Sequence, residues 1–226
     1  MSLGLVAGGL LIYQALIWPD ISALAKNNPR TTAFIELYQD RQKQAGKKQK
    51  PAWKWAAYSK ISPHLKIAVL VAEDINFFSH RGFDTGEMKI AMTDAMEEKE
   101  LPRGASTITQ QAAKNLWLSP SRNPFRKLKE AILTMELEHF LTKRRILEIY
   151  LNIAEFGPGI YGAESASRAY YQKSAGELSE YEAASLAASL PYPKYWHPGS
   201  KSKYYNQRIQ IIIDRMNKAK FLKKLI

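Results

Sequence analysis

Glu73 and Asp74 stand side by side at the end of an apolar run, Ile67-Ala68-Val69-Leu70-Val71-Ala72, and are followed by Phe77, His80 and Gly82. A carboxylate delivered by a segment that otherwise avoids charge has its pKa pushed up by desolvation, and a second carboxylate beside it pushes the same way. Glu73 is therefore a candidate general base. The plain alternative is a helix ending in two solvated acids, and an isolated Glu-Asp pair favours it. The rest of the chain shifts that balance.

A second constellation is Gly104-Ala105-Ser106-Thr107-Ile108-Thr109-Gln110-Gln111-Ala112-Ala113-Lys114-Asn115. Thr107 with Gln110 makes a capping box, so a helix starts here. Free N–H groups at that start favour an anion. Thr107, Gln110, Gln111 and Lys114 recur at helical spacing, which gives one polar face with a cation a turn further on. Two adjacent glutamines and a lysine beside Ala-Ala read as a lined groove better than as a well-capped polar helix.

The third group is Arg122, Arg126, Lys127 and Glu130. Arg126 and Glu130 are four apart, so the bland account is an ion pair along one helix, worth about 0.2–0.5 kcal/mol. The sharper account is a basic cluster of Lys114, Arg122, Arg126 and Lys127 that receives a phosphorylated group, with Glu130 ordering it. A guanidinium matches phosphate oxygens as a fork, which a lone ammonium cannot do.

Helices must position these groups. Ser62 caps and Pro63 opens the one that ends at Glu73. Thr31-Thr32 caps a short helix through Phe34, Leu37 and Tyr38 that ends near Gly46. Asn123 caps and Pro124 opens a long helix to about Leu141, with Leu128, Ile132 and Met135 as its apolar face. Thr142 caps Lys143 to Asn152, where Ile146, Ile149 and Tyr150 pack and Asn152 ties backbone. Ser179 and Glu182 form another capping box before a small-residue core helix, Ala183 to Leu190, and a basic helix from Tyr204 to Lys220 closes the chain. Met88, Met92 and Met96 are four apart on one face; core packing is favoured for them over contact with a bilayer. Strand signals do not form a convincing ladder, so the fold class is mainly α. Ser200-x-x-Lys203 matches a penicillin-binding pattern by chance, since no Lys-Thr-Gly or Ser-x-Asn follows.

The chain has 226 residues, 46% of them hydrophobic, enough for one sizeable core. Its net charge of +12 points to an anionic partner: nucleic acid, lipid headgroups or a phosphorylated substrate. The absence of cysteine excludes a disulfide framework and a thiolate metal site. Ser2 to Trp18 carries no charge over roughly 17 residues, at the short end of what crosses a bilayer, with Trp18 suited to headgroup level. The sequence thus divides into a transmembrane anchor at 1–19, a basic juxtamembrane linker or helix at 20–50 and a globular domain at 51–226. The four lysines from Lys43 to Lys50 read as a solvated linker that also attracts anionic headgroups.

Glu73-Asp74-x-x-Phe77-x-x-His80-x-Gly82 resembles the first motif of the peptidoglycan glycosyltransferases, glycosyltransferase family 51. Gly104 to Asn115 resembles the second and Arg126-Lys127-x-x-Glu130 the third. Lys143-x-x-Ile146-x-x-x-Tyr150-Leu151-Asn152 with Phe156-Gly157 is similar to the fourth, and Tyr161-Gly162-Ala163 through Tyr170-Tyr171 to the fifth. The resemblance implies a lysozyme-like two-lobed body behind the N-terminal transmembrane helix. It implies polymerisation of lipid II by inverting transfer from an undecaprenyl-pyrophosphate-linked chain to the acceptor 4-hydroxyl, forming β-1,4 bonds. Glu73 and Glu130 would be catalytic. Asp74, Phe77, His80, Gly104, Ser106, Thr107, Gln110, Gln111, Lys114, Asn115, Arg122, Arg126 and Lys127 would bind substrate. A divalent cation, Mg2+ or Mn2+, would sit on Glu130 and Asp74, with no organic cofactor. The implied partners are lipid II, the nascent glycan, the bilayer and cell-wall synthesis or division proteins, but no nucleic acid. The implied location is the bacterial inner membrane, single-pass, with the catalytic domain on its periplasmic face. The rival readings are a lysozyme-like glycan-cleaving enzyme using Glu73 as acid, and a non-catalytic cationic membrane-anchored binding protein.

Overall fold

Side-chain caps start most of the helices in the computed structural model, which describes residues 18–98, 106–120 and 123–226. Thr32 accepts a hydrogen bond from the Ile35 N–H at 3.2 Å and starts α1 (Ala33–Gln44), close to the expected boundaries. After β1 (Ala52–Trp53), Ser62 accepts from the His64 N–H at 3.2 Å and Pro63 opens α2 (Pro63–Glu73). The apolar run does what its composition requires: every residue from Leu65 to Val71 is buried. Each such aliphatic side chain contributes roughly 1.5–3 kcal/mol through burial. Lys66 is the exception in kind. Its ammonium lies 4.0 Å from the centre of the Tyr58 ring, and desolvation lowers its pKa.

α3 (Thr85–Glu98) corrects one expectation. Met88, Met92 and Met96 are exposed rather than packed in the core, Met96 by 73%. A four-residue spacing marks a face of a helix without saying what covers it. α4 (Ile108–Trp117) has the full capping box, and its buried face packs on α5 (Pro124–Phe140) and α6 (Lys143–Ile153). α5 brings a second correction: Leu128, Ile132 and Met135 are exposed, and the helix instead buries Glu130, Leu133, Thr134 and Leu137.

β2 (Glu155–Gly157) and β3 (Ile160–Tyr161) complete a three-stranded sheet in the order β1-β3-β2, β1 parallel and β2 antiparallel to β3. Strands of two or three residues are too short for a period-two pattern, which is why the sequence shows no ladder. Asn152 locks this corner. Its side chain accepts from the Ala56 N–H at 2.7 Å and donates to Ala56 O at 2.9 Å, while its own carbonyl accepts from the Trp53 indole at 2.8 Å. Gly162 (φ 82°) is required beside it, since a Cβ there would come within 2.6 Å of Asn152 O.

α7 (Ala163–Tyr171) leads to α8 (Glu180–Ser189), capped by Ser179 as expected but starting one turn before Ala183. Its alanines and serines are buried and let α2 and α9 (Lys203–Lys218) approach closely. α2 is therefore walled by α8 and α9, and Glu73 emerges from that core at its C-terminal end. Among the described residues no helix is long and apolar enough to cross a membrane. The expected anchor lies, up to residue 17, outside them.

Candidate active site

α2 carries Glu73 out of the apolar core with its side chain only 13% exposed. Oε2 accepts from the Gln111 side-chain amide at 2.9 Å, and Oε1 accepts from Arg208 Nη2 at 3.1 Å. Gln111 cannot present either end at will. The Tyr150 hydroxyl donates to its Oε1 at 2.9 Å, which turns the NH2 toward Glu73. Burial raises the Glu73 pKa; the Gln111 hydrogen bond, the Arg208 and Lys114 charges and the Arg208 hydrogen bond oppose without cancelling it. This is the environment of a strengthened base.

Lys114 follows Gln111 on α4. Burial lowers its pKa, the Arg126 and Lys127 charges lower it further, and Glu130 and Glu73 oppose. Among the described residues no carboxylate comes within ion-pair distance of it, and its ammonium lies 5.9 Å from the centre of the Phe34 ring. Beside it, Glu130 is buried with Arg126 on one oxygen at 2.7 Å and Lys127 on the other. Arg126 and Lys127 are thus ordered by Glu130, as the third group of residues suggests.

Asp74 has a different task from its neighbour. Its Oδ2 accepts from the Ile108 N–H at 2.9 Å, and its Oδ1 pairs with His80 Nε2 at 2.9 Å. The anion expected at the start of α4 is therefore supplied by Asp74. Phe77 is fully buried under His80, with the Lys143 ammonium 4.4 Å from its ring centre. Thr107 donates to Gly82 O at 2.6 Å while Gln110 closes the capping box. Gly82 must be glycine, because its φ is 88° and a Cβ would meet Thr134 Cγ2 at 2.7 Å. Asp74, Phe77, His80, Thr107 and Gln110 together fix α4 against the end of α2.

Glu73, Asp74, Asp84, Ser106, Thr107 and Arg215 are among the residues that line a cavity of about 340 Å³. Asn115 is half-buried, with no side-chain hydrogen bond among the described residues. Gly104 and Arg122 lie outside the described residues. The sequence reading missed Arg208 and Arg215, which donate from α9 to Ala72 O at 3.4 Å and Val71 O at 3.3 Å. Their signal was present: they are seven apart, two turns, beside the buried stripe of Tyr205, Ile209, Ile212 and Met216.

The carboxylates expected to hold a metal do not fit one together. Both Glu130 oxygens are bound to cations, and both Asp74 oxygens are bound to His80 and Ile108. Asp74 groups instead with His80 and Asp84, whose donor atoms lie within 4.8 Å of one another. Asp84 is itself engaged, by Asn76 at 2.9 Å and the Glu87 N–H at 3.0 Å.

Residues 40–217 match the family model described as Transglycosylase. The chain is 42% identical to the biosynthetic peptidoglycan transglycosylase of Laribacter hongkongensis over 207 residues, covering 92% of this chain and 91% of that protein. It is 43% identical over 203 residues to the protein of that name from Thiobacillus denitrificans, covering 90% and 88%. A third, from Methylobacillus flagellatus, is 41% identical over 215 residues. The match spans the Glu73 helix, the Gln111–Lys114 face and the Arg208 helix together, and the chain belongs to the transglycosylase family.

Proposed function

We propose that this peptidoglycan glycosyltransferase polymerises lipid II into glycan strands with Glu73 as the general base. The observation that carries the proposal is a buried carboxylate of raised pKa, facing a cavity, oriented by Gln111 and Arg208. A carboxylate has about four lone-pair sites, so two bonds leave room for an acceptor hydroxyl. Glu73 takes the proton of the acceptor 4-hydroxyl as that oxygen attacks the donor's anomeric carbon. The bond to the pyrophosphate oxygen breaks with its electron pair, and the α linkage becomes β-1,4. Lys114, with Arg122 and the Arg126–Lys127 pair, meets the charge that develops on the leaving group, a preorganised electrostatic role. No step is assigned to a metal.

The same reading includes a lysozyme-like two-lobed body, a single membrane anchor at 1–19 and a catalytic domain on the outer face of the bacterial inner membrane. The uncharged stretch from Ser2 to Trp18 supports the anchor. Exposed methionines on α3 suit an apolar lobe surface resting on lipid. Incubation with labelled lipid II tests the whole. Polymer is expected; cleaved glycan would indicate a hydrolase, and unchanged lipid II would remove the catalytic reading.

A further inference from the structure

α5 exposes a continuous apolar stripe. Phe125, Leu128, Ile132 and Met135 share one face, with Phe125 80% and Leu128 61% exposed, and His139 continues the line. From Phe125 to His139 the stripe runs about 21 Å at the helical rise. An apolar surface of this kind marks a binding face when it is rimmed by polar groups. Here the rim has a defined chemistry at one end. Past Met135 the stripe runs into a groove of about 680 Å³ lined by His80, Arg81, Glu138, His139 and Lys143, together with Phe78 and Leu141. Glu138 is satisfied within the protein, accepting from Thr109 at 2.5 Å and from Lys143 at 2.7 Å. Arg81 has no carboxylate within ion-pair distance among the described residues, and it is exposed. His80 is 9% exposed, holds Asp74 through Nε2, and has a buried Nδ1 with no partner. The groove therefore offers an open guanidinium and an exposed imidazole at the end of an apolar track.

A second observation bears on what faces this surface. Trp18, the last residue of the uncharged stretch, is held on the flank of α5. Its indole donates to Glu136 Oε2 at 2.7 Å, and Lys129 stands 5.3 Å from its ring centre. Glu136 is the residue after Met135, so Trp18 sits beside the stripe. If the uncharged stretch enters a bilayer, as the proposed anchor requires, the stripe and its cationic end meet the lipid surface.

We infer that the groove at Arg81 and His139 is a binding site for an anionic glycerophospholipid. Its acyl chain lies along the Met135–Leu128 stripe, and its phosphate sits on Arg81 and His139. The groove and the Glu73 cavity share no lining residue, and the His80–Asp74 pair links one residue of each. The inference rests on the anchor reading and not on the chemistry at Glu73.

The test uses the full chain in a neutral detergent, titrated with short-chain phosphatidylglycerol, with phosphatidylcholine of equal chain length, and with inorganic phosphate. The four histidines give a small set of imidazole NMR signals. Saturable shifts of His139 and His80 with phosphatidylglycerol, while His64 and His197 stay still, are the expected result. Arg81→Gln should weaken that titration about five-fold, the loss of one basic group at an anionic surface. Its rate of lipid II polymerisation in the same detergent should match wild type, which keeps a failure here apart from a failure of the glycosyltransferase reading. Equal shifts with phosphatidylcholine would show an apolar seat without headgroup selection, and equal shifts with inorganic phosphate a free-anion site; either overturns the proposal. So does an Arg81→Gln titration identical to wild type. Histidine signals unresponsive to every additive would mean that the face is empty or already covered by residues 1–17 or a second copy, and would overturn it equally.

Discussion

Replacing Arg208 should move the pH dependence of the enzyme in a direction set by its contact with Glu73. Arg208 lies 3.1 Å from Glu73 Oε1, in a pair whose side chains are 29% and 13% exposed. An opposite charge this close lowers a carboxylate pKa by about 1–3 units, and partial exposure of the guanidinium puts this pair at the low end. One unit corresponds to about 1.4 kcal/mol. Glu73 must be ionised to act as base, so kcat/KM falls as pH drops through its pKa. Burial already holds that pKa above the ordinary value, and Arg208 opposes burial. Without the guanidinium the pKa rises further, so the acid limb of the Arg208→Gln profile should shift to higher pH by about one unit. Arg208→Lys keeps the charge and should return most of the shift while losing the contact with Ala72 O. The assay is kcat/KM for labelled lipid II across pH, which reports the free enzyme. A limb that stays in place, or moves to lower pH, would refute the role given to Arg208.

Glu73→Gln should lower polymerisation about a hundred-fold or more while leaving the fold intact. Because the folded pKa of Glu73 is raised, its stabilising contribution is present below the unfolded value and is lost as pH rises through the folded one. The Gln variant should therefore melt at or above the wild-type Tm at pH 7, and a clear fall in Tm would count against the burial argument. Lys114→Ala should lower kcat more than it raises KM, because the charge it meets grows in the transition state; steady-state rates that show only a KM effect would argue for ground-state binding. Tyr150→Phe frees Gln111 to rotate and should cost about five-fold in kcat, the worth of one hydrogen bond, with little change in urea midpoint. Asn152→Ala strands the Ala56 N–H and C=O in a buried corner and should destabilise by about 2–4 kcal/mol in urea unfolding, with kcat of the folded fraction unchanged.

The parts of the fold legible in the sequence are those decided within a few residues. Thr32, Ser62, Thr107, Asn123, Thr142 and Ser179 each cap the helix that their type and spacing announce. The candidate base was legible for the same reason, since an apolar run ending in Glu is a local fact. What the sequence does not show is which apolar stripe finds a partner. Leu133 and Leu137 are buried on α5 while Leu128, Ile132 and Met135 are exposed, and nothing in their residue types separates the two faces. Long-range pairings were hidden as well. Arg208 reaches Glu73 across 135 positions, and Asp74 reaches the Ile108 N–H across 34. Two neighbouring carboxylates that look equivalent in sequence are separated by those two contacts: one faces a cavity beside an arginine, the other caps a helix.

The same separation applies to the cations, and it bears on why Lys114 stands apart in a chain of net charge +12. Arg126 and Lys127 rest on Glu130, Lys143 on Glu138, Arg208 on Glu73, and Lys173 on Glu182. Lys114 is different. It is desolvated enough to lower its pKa, stands near two other cations, and has no carboxylate partner among the described residues. Holding an ammonium there costs stability. The cost is offset only when an anion arrives, and most fully when that anion carries its greatest charge. A departing pyrophosphate reaches that state as the glycosidic bond breaks. On the proposed chemistry, an unpaired, desolvated cation one turn from the proposed base's amide partner would bind the transition state more tightly than the ground state, which is the property that raises kcat.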